Sequence, residues 1–371
     1  MEGASDRAPN RRLRQILQVT RRSDQESTLE GSIDLVSSPV YAVQQQKTLP
    51  HDVEPDDVPY PLTKEEALSF LENVLEIPNP EKLIERDPMA FLNTYIYNMI
   101  TKLPFTNLPH VSQPMNDKHN PTFEECKMAI LRREGGHCFY KNTFSKALLD
   151  LMDYDTFHVG GNNVGEDQFD THCGIVVCNL TFPGSLHLAE PGTRRPLYQA
   201  IPLDFETESQ VYKFHFMRSK FFKREHGILL WCAEAADETA PSEHVLESEG
   251  TFWKVQLIYR LNTRRDRAFY LEKGGYRFGI PGLVPTIHQT AFLVGYEGNR
   301  ILSIVYQRNL AAMGCLAAMR IEYEDPAQNE FQLLTDKEVL EAILLHFPQY
   351  SKQLVQRAID NVNYGGNLYC L

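Results

Sequence analysis

The chain has 371 residues, enough for about two or three folding units. Hydrophobic residues make up 42% and charged residues 23%, which are globular values and allow a sizeable core. Thirty-seven basic against 49 acidic residues give a net charge of −12, which excludes a general nucleic-acid binder. No stretch approaches the roughly 18 apolar residues of a membrane span, and no apolar run after the N-terminus suggests a secretory leader. The seven cysteines are an odd number in a chain too long to need staples, so free thiols in a reducing, cytoplasmic compartment are expected. Cys370 is second from the end and so does not form a prenylation signal.

Residues 1–62 differ from the rest. An arginine cluster (Arg11, Arg12, Arg14, Arg21, Arg22) precedes a Ser/Gln/Asp-rich stretch and a proline-bounded acidic stretch, with almost no aromatics. Such a segment buries too little apolar surface to offset its ordering entropy, and it reads as a disordered tail.

Residues 63–152 read as a helical bundle. The first helix opens on a capping box, Thr63 to Glu66, and carries Ala67, Leu68, Leu71, Val74 and Leu75 at helical spacing. The second runs from about Pro88 to Thr101, with Phe91, Leu92, Tyr95, Ile96 and Met99 on one side and Pro104 after it. The third opens on another box, Thr122 to Glu125, and Gly135-Gly136 is expected to end it. The fourth starts near Cys138, with Phe144, Ala147, Leu148 and Leu151 as its apolar face.

From about residue 156 the period changes to two. Strands or hairpins are predicted over 170–179, 185–190, 211–217, 227–232, 252–261 and 291–306. A final helix opens on the box Thr335 to Glu338. Helices first and strands afterwards mean an α+β protein, not a doubly wound sheet. The expected units are a β-rich region over 153–265 and an α/β lid over 266–371.

The sharpest local feature is Arg132-Arg133-Glu134-Gly135-Gly136-His137-Cys138-Phe139. A thiol opening a helix sits at the positive end of the macrodipole beside free N–H groups, and both favour the nucleophilic thiolate. The same N–H groups suit an oxyanion. A small buried core cysteine fits the segment equally well. A nucleophile needs a base and the base an orienting acceptor. His172, in an alternating strand, is the candidate base, although a lone strand histidine is more often structural. Glu190, ending the strand Leu186-His-Leu-Ala, is the candidate orienter, with Asp170 as a fallback. A zinc site from Cys138, His172, Cys173 and Cys178 fits poorly, because paired short spacing is missing and Cys173 and Cys178 alternate across a strand.

Taken together these segments resemble the arylamine N-acetyltransferase family. The resemblance rests on Pro104-Phe105-Thr106-Asn107-Leu108, on Arg132-Arg133, Gly135-Gly136, Cys138-Phe139 and Asn142, on Thr171-His172, and on Gln199 with Pro202-Leu203. It covers roughly 63–350 and is strongest over 100–205. It implies an α+β fold with a helical bundle, a central β-barrel-like domain and an α/β lid, around a cysteine-proteinase or transglutaminase-like core. It implies an acyl-CoA-dependent N-acyltransferase working by ping-pong chemistry, with Cys138, His172 and Glu190 as catalytic residues. Acetyl-CoA or another acyl-CoA is then a co-substrate, with no permanently bound cofactor and no metal. The acceptor is an aromatic amine or hydrazine, as in xenobiotic metabolism, and the protein a monomer that needs neither nucleic acid nor membrane. Phe105, Gly136, His137, Thr193, Arg194 and Thr290 are the weaker candidates for substrate or cofactor contact. The chain departs from the family in three places: Glu190 stands where an Asp is usual, Pro191-Gly192-Thr193-Arg194 replaces a Gly-Phe-Gly loop, and His137 and Tyr140 replace other residue types. Arg194 and Arg195 suggest pairing with CoA phosphates or with the carboxylate of a malonyl donor. A cysteine hydrolase using the same three residues, or a binding protein that kept the fold without catalysis, are the alternative readings.

Overall fold

The computed structural model describes residues 61–114, 117–164, 170–235, 244–267, 269–270, 290–298, 300–309 and 314–368. The expected tail lies outside them, except that Leu62 at its end is buried in the helical core.

Helix α1 (Lys64–Ser69) starts at Thr63, whose side chain takes the Glu66 N–H while Glu66 takes the Thr63 N–H. A wider π-type turn over Phe70–Val74 continues it. Helix α2 (Pro80–Arg86) is an addition to the sequence reading. Helix α3 (Pro88–Lys102) is capped by Asp87, with Pro88 in the first turn where its missing N–H costs nothing. Its Phe91, Leu92, Tyr95, Ile96 and Met99 are all buried, the face the spacing predicts. A two-residue strand β1 (Phe105–Thr106) and a short helix α4 (Leu108–Val111) follow. Helix α5 (Phe123–Leu131) has the expected capping box at Thr122. The reversal after it falls on Arg133, at φ +64, so the glycine pair does not end the helix. Helix α6 (Cys138–Leu151) opens on the cysteine itself.

The strands β2 (Asp155–Asn163), β3 (His172–Cys178), β4 (Leu186–Ala189), β5 (Ile201–Pro202), β6 (Tyr212–Phe214), β7 (Met217–Arg224), β8 (Ile228–Glu234), β9 (Val245–Ser248) and β10 (Thr251–Arg265) form one sheet. Its order is β5-β4-β3-β2-β10-β8-β7-β6, with β9 beside β10, and every pairing is antiparallel. The sheet curls into a half-barrel. Within 211–217, read as strand or hairpin, the chain turns: His215, at φ +51, lets Phe214 pair with Met217. A second sheet joins β11 (Thr290–Glu297), β12 (Arg300–Asn309), β13 (Gly314–Tyr323) and β14 (Glu330–Leu334), with β1 at its edge. Helix α7 (Asp336–His346) has its capping box at Thr335, and α8 (Lys352–Leu368) follows. Both pack on this sheet through Val339, Ile343, Val355 and Ile359.

The fold is α+β, with helices segregated from antiparallel sheets. Packing crosses the expected unit boundaries: Ile175, Val177 and Ala189 of the first sheet join the core of the helical region. Tyr296 and Ile301 belong to the core of the helical region, and Leu108 and Val111 to that of the second sheet. Among the described residues no helix is long and apolar enough to cross a membrane.

Candidate active site

The glycine pair places α6. Gly135 has φ +72, and a Cβ there would sit 2.1 Å from the Pro104 carbonyl oxygen. Only glycine permits so close an approach in that conformation. The contact is used: Gly136 N–H donates to Pro104 O and Thr106 N–H to Gly136 O, both at 3.3 Å. The same Pro-Phe-Thr-Asn segment ties down the second sheet. Asn107 Nδ2 donates to Thr290 O at 2.6 Å, Phe292 N–H to Asn107 Oδ1 at 2.9 Å, and Thr106 Oγ1 to Phe292 O at 2.7 Å. The two motifs that lie thirty residues apart are therefore one junction, with the start of α6 on it.

Cys138 is the first residue of α6, with His137 as its cap in extended backbone. The Cys138 side chain is nearly enclosed, its residue 8% exposed, and so is His172 at 6%. His172 opens β3 and directs its Nε2 at Glu190 Oε1, 3.0 Å away. That leaves its other ring nitrogen for the Cys138 thiol, whose ionisation the His172 charge favours. Glu190 is fully buried, and both of its oxygens are held. Tyr259 Oη donates to Oε1 at 3.0 Å and Asn142 Nδ2 to Oε2 at 3.3 Å. Asn142 lies one turn along α6 from Cys138, so the helix carrying the nucleophile also holds the carboxylate.

The extra methylene of Glu190, relative to aspartate, is accommodated by Gly174. A Cβ at Gly174 would come 2.3 Å from Glu190 Oε1. Gly161 pairs opposite His172, where a Cβ would press at 3.2 Å on the imidazole ring. Two side-chain-free positions thus make the room that a histidine and a glutamate need inside the sheet.

The electrostatics favour an ion pair. A hydrogen bond from Cys173 is the largest influence on Cys138. Burial opposes it, but the His172 charge and hydrogen bonds from His137 and His172 add to it, and the thiol is held well below its usual 9.0. For His172 burial opposes the charge, and Glu190, then Cys138, outweigh it, raising the imidazole from 6.5 to about 10. Burial and the adjacent Glu190 charge keep Tyr259 protonated, so it remains a donor.

Asp170, the fallback orienter, is occupied elsewhere. Its Oδ1 accepts from Arg260 at 3.2 Å, and its Oδ2 from Nε and Nη2 of Arg265, each at 3.1 Å. Cys178 lies at the far end of β3, paired with Asp155 and Leu186, away from His172.

Of the weaker candidates, Phe105 packs on the buried cluster of Cys138, Phe139, Cys173 and Tyr270 and stacks on Phe292 with ring centres 5.7 Å apart. Gly136 supplies the junction above. His137 sets its ring against Tyr140 and Phe139. Thr193 is buried, and its Oγ1 accepts from Arg195 N–H at 3.1 Å. Gly192 abuts Asn142, where a Cβ would come 2.5 Å from Oδ1, so the Pro191–Thr193 loop backs the residue that holds Glu190. Arg194 is exposed, and its carbonyl accepts from Tyr296 Oη. Thr290 opens β11 opposite Gln307, with its carbonyl on Asn107.

Sequence reasoning missed Tyr259. Tyr259 falls on the buried phase of β10 with Trp253, Val255 and Leu257, and nothing in that pattern marks it as polar machinery.

No protein-family model matches the sequence, and no curated protein matches it. Solved structures do. The arylamine N-acetyltransferase of Nocardia farcinica matches with a TM-score of 0.60 at 17% identity, over 83% of this chain and 98% of that one. The Mycobacterium marinum arylamine N-acetyltransferase in complex with CoA matches with 0.57 at 16%, over 80% and 99%. The Salmonella typhimurium enzyme matches with 0.54 at 12%, over 81% and 99%. The chain shares the fold of these arylamine N-acetyltransferase structures, a helical and half-barrel framework.

Proposed function

We propose that the protein is an acyl-CoA-dependent acyltransferase of the arylamine N-acetyltransferase type. The observation that carries this reading is the Cys138–His172–Glu190 line at the start of α6, held at 3.0 Å between imidazole and carboxylate. The fold likeness supports the donor, since one of the matching structures contains CoA.

In the proposed reaction the Cys138 thiolate attacks the thioester carbonyl. The developing oxyanion lies beside the free N–H groups at the α6 N-terminus. As the tetrahedral adduct collapses, the leaving thiolate takes the proton from the His172 imidazolium, and the acyl group stays on Cys138. The acceptor amine then attacks the acyl-cysteine and gives its proton to the now neutral His172. Collapse restores the Cys138 thiolate beside the imidazolium. Glu190 steadies the imidazolium and keeps the ring aimed. The co-substrates are acetyl-CoA or a related acyl-CoA and an aromatic amine or hydrazine, and no metal takes part.

The test is intact-protein mass after mixing with acetyl-CoA, beside Cys138→Ala. A gain of one acetyl group that is absent in the variant and lost on adding an arylamine is the expected result. No adduct with acetyl-, propionyl- or malonyl-CoA on a folded protein would overturn the reading in favour of a hydrolase or a non-catalytic binder.

A further inference from the structure

One buried thiol has no place in those steps. Cys173 follows His172 on β3, and strand alternation sends the two side chains to opposite sides. It is completely buried and clusters with Cys138, Phe139 and Tyr270. Its Sγ donates to the Cys138 carbonyl oxygen at 3.6 Å, and the two thiols lie in one buried cluster, where each acts on the other's charge. Its own carbonyl is held by Asn142 Nδ2, one helical turn from Cys138, so β3 and α6 are locked together at this contact. The thiol is thus fixed in backbone position and has two acceptors within reach, the sulfur and the carbonyl oxygen of the same residue.

We propose that Cys173 is a positioning residue for the nucleophile: its S–H donates to the Cys138 thiolate, holding the charge and aim of that sulfur. A thiol is a weak donor to a neutral partner and a better one to an anion. The proton sits on Cys173 rather than on Cys138 for a physical reason. Burial keeps the Cys173 thiol protonated, whereas Cys138 has the His172 charge beside it. Once Cys138 carries an acyl group its sulfur is a poor acceptor. The Cys173 S–H then turns to the Cys138 carbonyl, so no buried donor is stranded at either stage.

This rests on the reading of Cys138 as the nucleophile, but its test needs no acyl-CoA. The rate of Cys138 alkylation by iodoacetamide is measured from pH 5 to 9 by peptide-resolved mass spectrometry, in wild type, Cys173→Ser and Cys173→Ala. Serine keeps a donor and alanine removes it. The alanine variant is expected to move the midpoint up by about one pH unit, which is a rate about tenfold lower at acid pH. The serine variant is expected to stay with wild type. Identical profiles in all three, or equal displacement by serine and alanine, overturn the proposal, the second because it reports packing alone. If alanine does not fold, Cys173→Val removes the donor with fuller volume and is read the same way. Alkylation at a low midpoint without an acetyl adduct counts against the acyl transfer alone. A Cys138 unreactive in every variant overturns both.

Discussion

Replacing Glu190 by glutamine tests the electrostatic core of the site. The carboxylate accepts from three donors: His172, Tyr259 and Asn142. An amide offers only one acceptor oxygen, so at least one of these buried donors loses its partner or meets an N–H. The charge matters more. Two unit charges 3.0 Å apart attract by about 6 kcal/mol at an effective dielectric of 20. That is enough to outweigh burial of the imidazolium and to raise His172 from 6.5 to about 10. Without it His172 is neutral at pH 7, and Cys138 loses the cation that opposes its own burial. Glu190→Gln is therefore expected to slow Cys138 alkylation at pH 7 by about a hundredfold. Acyl transfer should fall by about 10⁴, the scale seen when a triad carboxylate becomes an amide. The assay is peptide-resolved alkylation beside single-turnover acetylation, with near-ultraviolet circular dichroism to confirm folding. Glu190→Asp keeps the charge one methylene further away and is expected to lose about tenfold. A folded Glu190→Gln protein alkylated within threefold of wild type would refute the argument that this charge sets the thiolate.

Gly174→Ala forces a methyl to 2.3 Å from Glu190 Oε1. It should cost about 1–3 kcal/mol in denaturant unfolding and lower acyl transfer together with Cys138 alkylation, whereas a loss of stability alone would separate the glycine from the site. The pH dependence of stability follows from His172 raised from 6.5 to about 10 and Cys138 lowered from 9.0. The unfolded pair holds two protons below pH 6.5, one from 6.5 to 9 and none above. With Cys138 ionised and His172 charged, the folded pair holds one proton, so its contribution is level where the unfolded pair also holds one, up to about pH 9, and falls as pH rises from 9 towards 10. In Cys138→Ala only the raised His172 remains, so stability should decline as pH rises above 6.5, by up to about 1.4 kcal/mol per pH unit. Parallel wild-type and variant melts from pH 7 to 9 would count against the ion pair. Lys141 is buried on α6 with its Nζ donating to the carbonyls of Met99 and Leu103, and burial lowers it from 10.5 to about 7. Its cost is greatest below pH 7 and shrinks as pH rises from 7 to 10.5, so Lys141→Met should gain on wild type as pH falls through that window, read by denaturant unfolding.

The parts of the site that the sequence made legible are those set by neighbours along the chain. Three capping boxes, at Thr63, Thr122 and Thr335, formed as written, because a hydroxyl and a carboxylate three residues apart need only one turn to meet. The place of Cys138 at a helix start followed from the residues around it, and alternation marked the strands that carry His172 and Glu190. What each carboxylate binds was decided only by the tertiary structure. On paper Glu190 is the candidate partner for His172 and Asp170 the fallback. Sheet pairing gives Asp170 to Arg260 and Arg265 on β10, ninety and more residues away, and brings Tyr259 of the same strand to Glu190. Gly174 and Gly161 matter for what they leave empty, which shows only once the strands lie side by side. The reversal at Arg133 escaped prediction because arginine is not a usual residue for the left-handed backbone. Local chemistry determined which residues could act. The register of β3 against β2, β4 and α6 determined which of them meet, since hydrogen bonds and charges act over a few ångströms and chain distance says nothing about that.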